Sequence, residues 1–187
     1  MSPALIALCA LGAGAAPVYR EAGVAVWCDR DAAVLSVTAV GDFAAPPDAV
    51  LAVIVDYDRP EPLADAARET RVLARADHTL LVYQRLGLPL VADRDYTMTV
   101  SWGEEGQARW ARFATANDAG PPPRPGVVRV PLHEADWRLV PGARGGTHAT
   151  YALRLDLGGS LPRWLADGPT ARHVPALFAA ISRVLAR

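Results

Sequence analysis

Alternation of apolar and polar positions along the chain predicts strands for most of its length, closed by one amphipathic helix. Gly23 to Trp27 reads as a strand, Asp29-Arg30-Asp31 as a turn, and Val34 to Phe43 as the second arm of a hairpin. Pro46-Pro47-Asp48 opens a short helix to about Val55. Proline suits a first helical turn and Asp48 suits the positive end of the helix dipole. Val50, Leu51, Ile54 and Val55 form its apolar stripe, and Arg59-Pro60-Glu61-Pro62 stops it.

Strand patterns follow at Arg71 to Arg75, Thr79 to Leu86, Asp95 to Trp102 and Ala108 to Thr115, with a hairpin turn over Gly103 to Gly106. In the third of these, Tyr96, Met98, Val100 and Trp102 fall on one face and Asp95, Thr97, Thr99 and Ser101 on the other, so one side is buried and one wet. Pro121 to Pro125 makes a stiff loop. Val127 to Leu132, Asp136 to Val140 and Thr147 to Leu157 complete the strands. Val174, Leu177, Phe178, Ile181, Val184 and Leu185 repeat at helical spacing, and Leu161, Trp164 and Leu165 extend that stripe upstream. Gly168-Pro169 and Pro175 are expected to bend or interrupt this helix. Strands followed by a closing helix indicate an α+β fold, a curved antiparallel sheet wrapped around the terminal helix.

The chain has 187 residues and a net charge of −1, the size of one domain with no bulk attraction to nucleic acid. Met1 to Ala16 carries no charge. Leu5 to Leu11 followed by Ala13-Gly14-Ala15 fits a secretory leader over residues 1–15, although no basic residue precedes the apolar run. The expected location is periplasmic or secreted, with residues 16–187 as the mature domain. Cleavage leaves Cys28 as a lone cysteine, packed as a small apolar residue.

Several segments, in order, resemble the START domains, lipid-transfer modules of the helix-grip superfamily, in their bacterial exported branch. They are Phe43 with Pro46-Pro47-Asp48, Asp56-Tyr57, Val82-Tyr83-Gln84-Arg85, Leu88-Pro89, Asp93-Arg94-Asp95-Tyr96, Gly126-Val127-Val128-Arg129, Trp137, Thr150-Tyr151 and Asp156 through Leu165. The resemblance spans Gly23 to Arg187 and departs from the pattern at Asp167-Gly168-Pro169, where a continuous helix is the rule. It implies a helix-grip fold with an internal hydrophobic cavity, and places the Pro121 to Pro125 loop near the cavity's opening.

The expected partner is a lipid or other hydrophobic small molecule, with transient membrane contact, no nucleic acid and a monomeric state. Candidate ligand-binding residues are Tyr83, Arg94, Tyr96, Met98, Trp110, Arg129, Tyr151 and Trp164. The arginines offer a planar fork for a headgroup or carboxylate, against the simpler reading of structural ion pairs. The aromatic residues and Met98 offer apolar area, and the tyrosines a hydroxyl that orients a ligand, against plain core packing. Trp137 reads as a structural plug.

No cofactor, metal or catalytic residue is expected. No G-x-S-x-G occurs, and His78, His133, His148 and His173 are widely spaced, with no H-E-x-x-H. His148 is the one conceivable general base, without an evident partner in sequence. The alternatives are a cavity enzyme of the same superfamily, such as an aromatase/cyclase or hydrolase, and an interaction domain with a filled core.

Overall fold

The computed structural model describes residues 16–31, 33–58, 66–88, 91–159 and 163–187, with backbone alone for Arg30 and for residues 163–172. The expected leader lies outside the described residues, as does the chain that ends the first helix at Arg59 to Pro62.

The strands are β1 (Tyr19–Glu21), β2 (Val24–Asp31), β3 (Val34–Phe43), β4 (Ala67–Ala76), β5 (Thr79–Leu86), β6 (Asp93–Glu105), β7 (Ala108–Thr115), β8 (Val127–Arg129), β9 (Leu132–Pro141) and β10 (Thr147–Asp156). Helix α1 (Pro47–Ile54) follows β3, and α2 (Arg163–Leu185) closes the chain. Among the described residues these strands form one sheet in the order β1-β2-β3-β10-β9-β7-β6-β5-β4, with β8 running parallel beside β6. The other pairings are antiparallel, and β10 beside β3 unites the two ends of the chain. The α+β helix-grip architecture expected from the sequence is the one observed.

Pairing register fixes which residues share a face, because directly opposed residues point the same way. Tyr151 opposes both Ala39 and Trp137, Trp137 opposes Ala111, and Ala111 opposes Trp102. The inner face therefore carries odd-numbered residues on β3, β7, β9 and β10 and even-numbered residues on β5 and β6. Helix α2 packs over β2 and β3 and against α1, and α1 packs over β7 and β9. Phe178 of α2 stacks on Phe43 with ring centroids 5.2 Å apart and meets Trp137 at 5.0 Å, while Trp137 meets Tyr151 at 4.7 Å. Helix and sheet approach so closely here that a Cβ on Gly41 would lie 2.9 Å from the Phe178 ring.

Several details differ from the sequence reading. The residues Asp29 to Asp31, expected as a turn, belong to β2, and Asp95 and Thr97, expected on a wet face, are buried. Helix α2 runs as one element from Arg163 to Leu185, uninterrupted at Gly168-Pro169 or Pro175. Burial of Val174, Phe178 and Ile181 overrides the local cost of proline, which removes a hydrogen bond at each site. Strand β6 continues through Gly103 to Glu105, and the turn falls on Gly106, at φ +59°. Gly103 pairs with Trp110 in the β6–β7 ladder, and the Trp110 indole occupies the space a side chain at 103 would need. Strand β9 begins at Leu132, so His133 and Ala135 join the face that carries Trp137 and Leu139.

Candidate functional site

Strand β6 divides the candidate residues between two faces. On the inner face stand Arg94, Tyr96 and Met98, all buried, and Tyr151 of β10 joins them. Arg94 is 3% exposed. One of its nitrogens donates to the Ala92 carbonyl, and its Nε has no hydrogen-bond partner among the described residues. No described carboxylate pairs with it, and desolvation lowers its pKa. It sits beside the Gly158-Gly159 junction that leads from β10 toward α2; both glycines are at positive φ.

Next to Arg94 on the same face lies a run of uncharged polar side chains. The Tyr96 hydroxyl donates to Gln84 Oε1 at 2.9 Å, and Gln84 Nε2 donates to Thr70 Oγ1 at 3.1 Å. Tyr96 stacks on His133 with centroids 4.4 Å apart and planes at 13°. Burial pushes the His133 imidazole down to about 4, and its Nδ1 has no partner among the described residues. Tyr57, just after α1, lies close enough to Tyr96 and Tyr151 that each of those phenols adds to the upward shift burial imposes on it. Burial raises Tyr96 and Tyr151 as well.

Tyr83, Arg129 and Trp110 are on the outer face, which corrects their placement as cavity lining. Alternation decides this: Tyr83 opposes Thr97, Arg129 follows the Asp95 side of β6, and Trp110 opposes Gly103. Asp95, 1% exposed, accepts from Arg129 Nε at 2.7 Å, from Arg129 Nη2 at 3.2 Å and from the Tyr83 hydroxyl at 3.1 Å. Asp95 thus pairs with Arg129 and not with its chain neighbour Arg94. Trp110 packs on Gly103, with the Arg112 guanidinium 5.8 Å from its ring. Trp164 falls in the part of α2 whose side chains lie outside the described residues.

The Pro121 to Pro125 loop also lies against this outer face. Arg129 donates to the Pro121 carbonyl at 3.0 Å, and Arg124 pairs with Glu69 at 2.9 Å and covers the Tyr83 ring at 5.4 Å. Hydrogen bonding from Arg124 is the main cause holding the Glu69 carboxyl below its usual range. Asn117 anchors the loop's start, accepting from the Thr97 amide and donating to the Val130 carbonyl.

His148 lies on the surface, 49% exposed, with Nδ1 2.7 Å from Asp42 on neighbouring β3. Among the described residues no group of three His, Cys, Asp or Glu is placed to hold a metal ion. The sequence reading missed His133, Tyr57, Gln84 and Thr70 as inner-face groups. Extending the alternation of Trp137 and Leu139 back to His133 would have found the histidine.

The fold is shared with solved structures. A STAR-related lipid transfer protein from Xanthomonas axonopodis aligns at TM-score 0.80 and 24% identity, over 90% of this chain and 97% of that one. Human StAR-related lipid transfer protein 5 aligns at TM-score 0.77 and 15% identity, over 88% and 83%. An aromatase/cyclase from a Streptomyces species aligns at TM-score 0.57 and 14% identity, over 80% and 92%. In sequence, an uncharacterized protein of Pseudomonas aeruginosa is 29% identical over 103 residues, 54% of this chain. The chain spans about half the length of that relative, 51%. A sequence model of the START domain matches residues 69–173, which carry β4 to β10 and the first part of α2, and the chain belongs to the START domain family.

Proposed function

We propose that the chain binds an amphiphile, most simply a lipid with an anionic group, between the inner face of its sheet and α2, and carries it without chemical change. The observation that carries this reading is Arg94. A guanidinium buried with no carboxylate partner among the described residues is costly to keep, and an anionic ligand group would satisfy it. Met98, Tyr151 and the aromatic cluster around Trp137 supply apolar wall, where burial contributes about 25 cal/mol per Å². The fold shared with lipid transfer proteins supports the same reading. His148, the general base offered by the sequence, stands outside against Asp42, which supports a carrier over a cavity enzyme. The proposed setting is the periplasm or the exterior, on the strength of the apolar segment at residues 1–15.

The test is native mass spectrometry of the purified chain, with organic extraction of what it retains, followed by incubation with oleate. A stoichiometric apolar adduct, or one-to-one uptake of oleate, is the expected result. A chain that is empty and stays empty after oleate and after phosphatidylglycerol vesicles overturns the reading.

A further inference from the structure

The inner face holds a second polar feature that an anion-binding arginine does not explain. His133 presents a ring nitrogen with no partner among the described residues. A buried polar atom left unpaired costs stability, and such atoms in native structures call for an explanation. The imidazole is held firmly: its ring stacks on Tyr96 at 4.4 Å, and its backbone exchanges hydrogen bonds with Thr115 Oγ1 at 2.7 and 3.0 Å. Tyr96, stacked on this imidazole, is in turn within electrostatic reach of the phenols of Tyr57 and Tyr151. The Tyr96 hydroxyl spends its proton on Gln84 and keeps its lone pairs for another donor.

We propose that His133 with Tyr57, Tyr96 and Tyr151 forms a second ligand subsite, which takes an uncharged hydroxyl on the body of the bound molecule. This rests on the carrier reading above. A hydroxyl both donates and accepts, so it matches an imidazole nitrogen and phenol oxygens together. A charged group matches less well, because burial keeps the imidazole and the phenols neutral. Arg94 and Tyr96 are two residues apart on one strand face, about 7 Å along the strand. The ligand class is therefore a hydroxylated acidic amphiphile, its anionic group at Arg94 and its hydroxyl at His133 and the phenols on the same face.

The experiment measures Kd at pH 7 for 2-naphthol and for 2-methylnaphthalene, neutral probes of matched size that differ in the hydroxyl. The wild-type chain is expected to prefer 2-naphthol by about tenfold, the worth of one buried hydrogen bond. His133→Phe, which keeps a ring against Tyr96, is expected to abolish the preference and leave 2-methylnaphthalene within about twofold of wild type. Tyr151→Phe is expected to narrow the preference at least about threefold, and carries the test if His133→Phe does not fold. No preference in the wild type, or an undiminished preference in both variants, overturns the subsite. Binding of oleate with no binding of either naphthalene also overturns the subsite and leaves the carrier reading standing. Failure of all three probes to bind, in a chain that also stays empty after phosphatidylglycerol vesicles, overturns the carrier reading and the subsite with it.

Discussion

Asp95 and Tyr96 are neighbours in the chain and serve opposite sides of the sheet. The Asp95 carboxylate, buried on the outer face, holds the Arg129 guanidinium at 2.7 and 3.2 Å, while Tyr96 on the inner face stacks against His133 at 4.4 Å. One peptide bond thus separates a structural ion pair from the candidate ligand wall. The outer pair ties β8 to β6 and, through the Pro121 carbonyl, holds the proline-rich loop.

Removing Arg129 should therefore affect stability and not ligand choice. Arg129→Met leaves Asp95 buried without its cation, which costs about 3–5 kcal/mol for a broken buried pair. Chemical denaturation should show that loss, while oleate uptake by the folded fraction keeps its stoichiometry. Unchanged stability with lost uptake would move Arg129 into the ligand site.

Strand alternation made the sheet legible in the sequence. It also gave the inner placement of Tyr96 and Met98, because a period of two needs only local residues. Tyr83, Trp110 and Arg129 were less legible. Each follows its own strand's alternation, but assigning a face requires knowing which strands pair and in what register. The seat of the Pro121 to Pro125 loop was less legible for a related reason: its position depends on Glu69, Asp95 and Thr97, which are distant in sequence. His133 was lost to a strand boundary drawn at Asp136 where β9 begins at Leu132, and boundaries are where propensity carries least information. The unbroken α2 shows tertiary packing outweighing two prolines, which no local rule foresees.

Gly41 sets the distance between helix and sheet. A Cβ there would meet the Phe178 ring at 2.9 Å and Val24 at 3.1 Å, in a core already filled by Phe43 and Trp137. Gly41→Val should overpack this contact, push α2 outward and cost about 1–3 kcal/mol. A lowered Tm with a more exposed Trp137 in fluorescence is the expected outcome. Pairing it with Phe178→Leu should recover part of the loss, since the two changes share one contact.

His133 should make stability depend on pH in the mildly acid range. In the unfolded chain its imidazole takes a proton near pH 6.5, and in the folded chain only near 4. Between those values the unfolded state binds more protons, so stability falls as pH falls. The contribution is fully present above about 6.5 and is lost by about 4, a change on the order of 3 kcal/mol. Urea titrations from pH 7.5 to 4 should show it, and His133→Phe should flatten that part of the profile. A variant curve parallel to wild type would mean that His133 titrates normally in the folded chain.

Arg94 offers the sharpest separation of folding from binding. Its guanidinium is buried with no described carboxylate beside it, and desolvation already disfavours its charge. In the empty chain that charge is a cost, so Arg94→Met, similar in length and apolar, should hold or raise Tm. In the loaded chain the same guanidinium pairs with the ligand's anionic group, a charge-assisted hydrogen bond worth about 1.5–3 kcal/mol. Oleate should therefore bind Arg94→Met at least about tenfold more weakly, with the stoichiometry unchanged. Isothermal titration of both proteins, set beside their melting curves, reads the two effects independently. Weaker binding together with equal or higher stability is the signature of a residue kept for its ligand. A large loss of stability with unchanged oleate affinity would make Arg94 a structural residue and leave the anionic group of the ligand without its anchor.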